Sequence, residues 1–219
     1  MRHIEMIAKE GRLFLISVLI FLFPFGLYVH ASDIKILYYI YILFGSFYLF
    51  AIYFFRDPQR KITPDSSTIL SPADGRIISI KKINDNEVGS SSKVISIFLS
   101  VFDVHVFRYP FDGKVKSVKS TEGKFIAAFA DNASDVNEKI VTVIEANNFI
   151  FKIKQIAGLV ARRILCYAKP NENVTKGDRM GFIRFGSRAD IVVSSEIDVC
   201  VNIGEKVKAG ESVIGRIKQ

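Results

Sequence analysis

Two long apolar runs near the N-terminus set the first constraint on what this chain can fold into. Leu13 to Val29 is a run of 17 residues without a charged side chain, and Ile36 to Phe55 is a second run of 20. Because a helix rises about 1.5 Å per residue and the hydrocarbon core of a bilayer is about 30 Å thick, about 20 apolar residues can span it. The second run is long enough. The first is at the short limit and contains Pro24 and Gly26, so it could span, stop part-way or lie re-entrant.

Basic residues around the two runs predict an orientation in the membrane. Three precede the first run, one lies between the runs and three follow the second: Arg2, Lys9, Arg12, Lys35, Arg56, Arg60 and Lys61. The positive-inside rule then places both ends in the cytoplasm. A secretory signal peptide is the alternative for the first run. We therefore expect residues 1–61 to be an anchoring helical hairpin with an interfacial segment in the cell membrane, and the rest of the chain to lie on its cytoplasmic side.

The remaining segment, residues 62–219, has the length of one domain and is predicted to be mainly β. Short β-branched and aromatic runs recur between Gly, Pro, Asn and Asp residues, and no stretch of ten or more residues keeps a helical period. The predicted strands are Ile77 to Ile80, Val94 to Leu99, Val104 to Phe107, Ile140 to Ile144, Phe149 to Ile153, Ala189 to Val193 and Val199 to Ile203.

Two internal repeats refine this prediction. Residues 73–81 resemble residues 111–119, each an Asp-Gly turn followed by a strand, and residues 174–178 resemble residues 207–211. Paired hairpins of this kind look like the flattened β-sandwich of lipoyl and biotinyl carrier domains. A carrier module is therefore one alternative function, although the Met-Lys-Met or Asp-Lys-Ala triplet of such carriers does not occur in this sequence.

The charge and the cysteine content limit the classes of binding partner and metal site that the sequence predicts. A formal net charge of +8 suits an anionic surface, and beside a membrane anchor an acidic phospholipid is a better match than nucleic acid. No RNA-reading motif contradicts this preference. Cys166 and Cys200 have no metal-ligand spacing, so we expect no metal site and two buried, reduced thiols.

Three separated segments carry side chains that suit catalysis. They contain Asp74, His105 and the dipeptide Gly186-Ser187, and each also has a structural interpretation as a turn cap, a core histidine and a turn. The other histidines, His3 and His30, lie before the first apolar run and between the runs. His105 is thus the imidazole base available to the β domain.

Five motifs in order resemble the short form of the phosphatidylserine decarboxylase family. They are Phe-Phe-Arg-Asp-Pro at 54–58, Ser-Pro-Ala-Asp-Gly at 71–75, Asp-Val-His-Val-Phe-Arg-Tyr-Pro at 103–110, Ala-Arg-Arg-Ile at 161–164 and Arg-Phe-Gly-Ser-Arg at 184–188. The resemblance runs from about residue 54 to the C-terminus. It implies a membrane enzyme that decarboxylates phosphatidylserine to phosphatidylethanolamine and CO₂, without a metal or pyridoxal phosphate.

The resemblance also implies that the chain cuts itself before Ser187. The products would be a β chain, residues 1–186, and an α chain, residues 187–219, which stay together, and Ser187 would become a covalent pyruvoyl group. The hydroxyl of Ser187 would attack the Gly186 carbonyl, where glycine leaves the approach open. His105, oriented by Asp74, would be the base in the usual nucleophile, base and orienter arrangement.

One residue departs from the longer members of the family. They carry a second histidine three positions after the first, where this chain has Arg108. A guanidinium suits a substrate carboxylate or phosphate, so Arg108 is a candidate substrate-binding residue, with a structural role as the alternative.

The lipid could also be archaetidylserine or another serine phospholipid. A membrane-anchored serine hydrolase with Ser187, His105 and Asp74 as a triad is a further alternative, although a Gly-x-Ser-x-Gly elbow is missing.

Overall fold

The structure is a computed structural model that describes residues 6–146, 149–159 and 163–218. The chain divides into two compact units, residues 1–59 and residues 60–219. The first unit contains the two apolar runs, and the second contains the predicted strands. The predicted fold class, a mainly β domain preceded by an N-terminal helical hairpin, is confirmed.

The first unit is a helical hairpin. Helix α1 spans Lys9–Ala31 and helix α2 spans Lys35–Phe54. Helix α1 begins before its apolar run and continues through Pro24, so its 23 residues reach about 34 Å at about 1.5 Å each. Both helices are therefore long and apolar enough to cross a membrane, a property that an N-terminal signal sequence shares.

Small residues bring the two helices together. A Cβ added at Gly26 would lie 2.9 Å from the Tyr41 hydroxyl, and the rings of Phe25 and Tyr41 are 6.1 Å apart. Only 11% of the most apolar window of α1 and 6% of that of α2 is buried. A core helix of a soluble protein is mostly buried, so this low burial is consistent with membrane association of the hairpin.

The regular secondary structure of the second unit is almost wholly antiparallel β. The strands are β1 Thr68–Leu70, β2 Gly75–Asp85, β3 Gly89–Leu99, β4 Val106–Arg108, β5 Gly113–Thr121, β6 Lys139–Glu145, β7 Ile150–Ile156, β8 Ile164–Cys166, β9 Asn173–Val174, β10 Arg179–Ile183, β11 Ser187–Val193, β12 Ile197–Val199, β13 Lys206–Val207 and β14 Val213–Ile217. One short helix, α3, spans Ala133–Val136 within the described residues. Five of the seven predicted strands coincide with these strands in whole or in large part, and half of the run from Val104 to Phe107 lies in β4. The run from Val199 to Ile203 is mostly outside β12.

In the described part of the chain these strands form an eight-stranded sheet and two three-stranded sheets. The large sheet has the order β13-β2-β3-β11-β7-β6-β5-β9, and the small sheets have the orders β1-β14-β12 and β4-β10-β8. Strand β11 is buried at all seven positions, as expected for a central strand covered on both faces.

The unit is an internal duplication. Matching β13, β2, β3 and β11 with β9, β5, β6 and β7 makes the order of the large sheet read the same from either edge, and the two small sheets correspond in the same way. The hydrogen bonds repeat too, since Arg108 N–H donates to the Pro72 carbonyl at 2.9 Å and Leu70 N–H donates to the Pro110 carbonyl at 3.0 Å. The second copy, from β4 to β10, is inserted between β3 and β11 of the first.

The turns that the sequence repeats predicted are the corresponding turns of the two copies. Gly177 and Gly210 have φ values of 84° and 73°, so each supplies the left-handed conformation that glycine adopts without strain. The cysteines differ from expectation. Cys166 is half-buried and burial raises the pKa of its thiol, but Cys200 is exposed because it follows β12 in a surface loop.

Candidate active site

Ser187 is the first residue of the central strand β11. It is fully buried, and its Oγ has no hydrogen-bond partner among the described residues. Its backbone pairs with Leu99, the last residue of β3. A buried hydroxyl without a partner costs about 1–3 kcal/mol, so its position calls for a functional explanation.

The inserted copy brings His105 and Gly186 into neighbouring connections. His105 lies in the connection from β3 to β4, and Gly186 lies in the returning connection from β10 to β11. At one end of these connections Ser187 pairs with Leu99, and at the other Ile183 N–H donates to the His105 carbonyl at 3.3 Å. The two connections therefore run side by side, and the fold brings together segments that are far apart in sequence.

His105 is fully buried beside the Phe182 ring, whose centroid is 6.3 Å away. Its Nδ1 lies 2.9 Å from the backbone carbonyl oxygen of Asp103. Because a carbonyl oxygen only accepts, a hydrogen bond here places the proton on Nδ1 and leaves Nε2 of the neutral ring as the basic nitrogen. The Asp103 carboxylate in turn accepts hydrogen bonds from the Ser100 N–H and hydroxyl at 2.8 and 2.7 Å, which closes the turn that carries the histidine.

Asp74 is buried at the turn between β1 and β2. Both its carboxylate oxygens accept from Arg60 Nη2, at 2.9 and 3.0 Å, and one also accepts from the Ala209 N–H at 2.8 Å. Burial raises the pKa of the Asp74 carboxyl above its usual value, against the opposing effects of Arg60 and the Ala209 N–H. The nearby Asp103 carboxylate contributes in the same direction as burial.

The duplication supplies a structural role for Asp74. Asp112, its counterpart in the second copy, accepts from the Lys176 N–H at 2.7 Å as Asp74 accepts from the Ala209 N–H. Both carboxylates thus hold the glycine turn that packs against them. The Arg60 side chain, which is only 5% exposed, distinguishes Asp74 from Asp112. Sequence reasoning used Arg60 only as one of the basic residues that predict the orientation, and it missed this ion pair.

The expected hydrogen bond between Asp74 and the imidazole is not among those of the described residues. The carboxylate of Asp74 is bonded to Arg60 and Ala209, and the bond at Nδ1 of His105 goes to the Asp103 carbonyl. The turn that carries Asp74 is hydrogen-bonded to β4, the strand that directly follows His105, because Arg108 N–H donates to the Pro72 carbonyl. The action of Asp74 on His105 stays a prediction.

Arg108 ends strand β4 on the same side of the domain. Its Nη1 donates to the Gly177 carbonyl at 3.0 Å, and its Cδ would lie 3.1 Å from a Cβ added at Gly210. The side chain is half-buried between the two glycine turns. This contact is structural, and substrate binding by Arg108 stays a prediction.

Phe185 precedes the candidate cleavage dipeptide in an unusual conformation. Its φ is 68°, which is rare for a bulky residue and costs about 1–3 kcal/mol. Backbone strain thus lies one residue before Gly186. No sequence signal pointed to it, because backbone dihedrals depend on the surrounding fold.

Arg188, the residue after Ser187, holds the start of β11 from the opposite face. Its Nε donates to Asp190 at 2.7 Å, and its Nη2 donates to the Ser96 hydroxyl at 2.8 Å. Its Nη1 donates to the Ala130 carbonyl at 3.3 Å, and the Ser134 hydroxyl donates to Asp190 at 2.7 Å. These contacts tie the segment around α3 to the residue that follows Ser187.

Some predicted features fall outside the described residues. Ala161 and Arg162 of the Ala-Arg-Arg-Ile motif do so, as do Arg2 and His3, whereas Arg163 is exposed before β8. Within the described ranges, no cluster of three or more His, Cys, Asp or Glu side chains could hold a metal ion.

Comparison with known proteins gives a consistent result. The family model for phosphatidylserine decarboxylase matches residues 47–215. A phosphatidylserine decarboxylase proenzyme from Desulfotalea psychrophila is 41% identical over 189 residues, which are 85% of this chain and 87% of the relative. One from Geobacter metallireducens is 39% identical over 210 residues, 95% of each chain, and one from Chlorobium limicola is 43% identical over 168 residues, 77% of this chain and 79% of the relative.

The protein is thus an enzyme of the carboxy-lyase class, and its relatives are named as proenzymes. The chain belongs to the phosphatidylserine decarboxylase family. The family that the five motifs predicted is therefore confirmed.

Proposed function

We propose that this chain cuts itself between Gly186 and Ser187, converts Ser187 into a pyruvoyl group and then decarboxylates phosphatidylserine to phosphatidylethanolamine. The observation that carries the proposal is the Ser187 hydroxyl, which is buried without a hydrogen-bond partner among the described residues and directly follows a glycine. The family and the proenzyme names of its relatives support the same activity.

Self-cleavage needs only Gly186, Ser187, a base and one water molecule. The Oγ of Ser187 attacks the Gly186 carbonyl carbon and the C–N bond breaks, so the amide becomes an ester and the serine nitrogen becomes an amine. Loss of the Ser187 α-proton expels the Gly186 carboxylate and leaves dehydroalanine. Its tautomer, an imine, is hydrolysed by water to the pyruvoyl group and ammonia.

His105 is the proposed base for these proton transfers. With the proton of its neutral ring on Nδ1, facing the Asp103 carbonyl, Nε2 can accept the Ser187 hydroxyl proton. The left-handed backbone at Phe185 supports cleavage at this bond, because breaking the chain next to it releases the strain.

Position 187 fits a pyruvoyl group. Such a group has neither a hydroxyl nor an amine, so its formation removes the unpaired buried donor of Ser187. Strand β11 remains paired with β3 and β7 from Arg188 onward, which would keep the new chain end in the sheet. When present, the conjugated pyruvoyl carbonyl supplies an electron sink for decarboxylation, as pyridoxal phosphate does in other enzymes.

Charge and the hairpin support a phospholipid substrate. The formal net charge of +8 favours an anionic surface, and Arg108 offers a guanidinium near the site for a phosphate or carboxylate. We propose that residues 1–61 anchor the enzyme in the cell membrane and that the β domain faces the cytoplasm. Protease added outside intact cells should then spare the β domain, and its digestion there would contradict this topology.

Mass spectrometry of the purified full chain tests the proposal. We expect two fragments, residues 1–186 and 187–219, with the second lighter than its sequence mass by one ammonia. Ser187→Ala should give a single uncut chain without decarboxylase activity, because alanine has no nucleophile. An intact wild-type chain would support a serine hydrolase instead, and a modified lysine would support a carrier module. Decarboxylase activity on vesicles of phosphatidylserine, compared with activity on vesicles of archaetidylserine, then shows which of the two lipids is the substrate.

A further inference from the structure

The carbonyl group of Gly186 lies directly against Gly158. A Cβ added at Gly158 would overlap the Gly186 carbonyl oxygen and lie 3.1 Å from its carbonyl carbon. Gly158 is buried and follows β7, the strand that pairs with β11. Only a residue without a side chain allows this approach of the two backbones.

Gly158 and Ala128 form the two walls of a niche at the Gly186 carbonyl. The Cβ of Ala128 lies 3.2 Å from the same added Cβ, and its side chain is only 3% exposed. A Cβ added at Gly186 itself would meet only the Leu99 carbonyl oxygen, at 3.6 Å, which is an ordinary contact. The tight steric requirement at this peptide is therefore at Gly158, and not at the glycine that precedes the serine.

We propose that Gly158 is a positioning residue for self-cleavage. With Ala128 it fixes the orientation of the Gly186 carbonyl, so that the carbonyl carbon presents one face to the Ser187 hydroxyl. The inference rests on the proposed cleavage between Gly186 and Ser187. It concerns the first step, in which Oγ bonds to the carbonyl carbon, the carbonyl oxygen gains the negative charge and the Oγ proton passes to the base.

Gly158→Ala gives the direct test. The Gly186 oxygen would have to move by about 1 Å to reach an ordinary distance from the new Cβ, and a misplacement of about 1 Å can slow a reaction about 100-fold. We expect self-cleavage of the full chain to slow by about that factor. It is followed on a gel after expression of the precursor, with the cut located by mass spectrometry.

Gly113→Ala is the matched control. Its Cβ would lie 2.6 Å from the Glu145 carbonyl oxygen, so it meets a similar backbone obstacle in the other half of the sheet. Both substitutions should lower the melting temperature of an uncut Ser187→Ala background, but only Gly158→Ala should slow cleavage about 100-fold. Equal slowing by both would assign the effect to general loss of stability and overturn the inference.

Hydroxylamine separates positioning from later steps, because it cleaves esters much faster than amides. If Gly158→Ala slows the acyl shift, little ester forms and hydroxylamine should not restore cleavage. Restored cleavage would show that the shift is intact, which refutes the inference.

Ala128→Gly covers the case in which Gly158→Ala does not fold. Opening the second wall should slow cleavage several-fold in a folded chain, and an unchanged rate would refute the niche. The two proposals fail differently. A wild-type chain that is uncut, or cut elsewhere, rejects the proposed function, whereas a correctly cut wild type with an equally fast Gly158→Ala variant rejects only the role of Gly158.

Discussion

The buried ion pair next to the candidate cleavage bond should be essential for stability. Arg188 is 6% exposed and Asp190 is 1% exposed, and two guanidinium nitrogens lie 2.7 and 3.3 Å from the two carboxylate oxygens. Arg188→Met removes the cation and leaves the Asp190 carboxylate buried, with the Ser134 hydroxyl as its remaining side-chain donor among the described residues. Breaking a buried pair from one side costs about 3–5 kcal/mol.

That cost predicts a large change in melting temperature. In a domain of roughly 150 to 250 residues, each 1 kcal/mol lowers the melting temperature by about 2–4 °C. Arg188→Met should therefore lower it by about 6–20 °C. The assay is thermal unfolding of the full chain in detergent, in a Ser187→Ala background so that all molecules are uncut.

A double substitution and an exposed pair make the test specific. Arg188→Met combined with Asp190→Asn removes the unpaired charge and should recover part of the loss. Lys116, 45% exposed and paired with Glu145 at 3.6 Å, is the control, since Lys116→Met should cost less than about 1 kcal/mol. If Arg188→Met costs no more than Lys116→Met, the reasoning about the buried pair is wrong.

The other predictions concern the proposed base His105, the loss of stability at low pH, and the two corresponding residues Asp74 and Asp112. His105→Gln should slow self-cleavage about 10² to 10⁴-fold, followed on a gel over hours, and normal cleavage would make His105 a core residue. Although burial raises it, hydrogen bonds from Lys152 and two backbone N–H groups hold the pKa of Asp85 below its usual value. Its stabilisation is present above about pH 4 and is lost as the pH falls through the folded-state pKa, so the melting temperature of wild type should fall more steeply in acid than that of Asp85→Asn. Asp74→Asn removes the hydrogen-bonded carboxylate of the buried Arg60 guanidinium and leaves Glu211, 3.8 Å away, as a weaker acidic partner, so it should lower the melting temperature more than Asp112→Asn does. Equal melting temperatures would contradict this difference.

Local sequence was sufficient to predict both long helices, several of the strands and the repeats. The apolar runs predicted both helices because length and apolarity are properties of a continuous segment. Short β-branched and aromatic runs predicted strands for the same reason, and five of the seven lie wholly or largely in observed strands. The two Asp-Gly segments and the two glycine turns predicted corresponding hairpins, and the structure extends them to a duplication of the whole domain.

The candidate site was predictable as a set of residue types but not as an arrangement. The sequence predicted Asp74, His105 and Ser187 as candidates. In the structure, however, Asp74 accepts from Arg60, and Nδ1 of His105 faces the Asp103 carbonyl. Hydrogen-bond partners depend on which segments the fold brings within about 3 Å, and this sequence contains several acceptors that would serve equally well.

The apolar hairpin, the β domain and the serine after a glycine could be predicted from the chain, because each of these follows from neighbouring residues. The insertion of one copy of the duplicated domain between β3 and β11 of the other is visible only in the fold. The insertion requires the chain to pass from one copy to the other twice, and the two connections run side by side. One contains His105 and the other contains Gly186. The contact of Gly158 with the Gly186 carbonyl has the same origin, since a close approach of two backbones depends on how strands pack and leaves no local pattern beyond a single glycine.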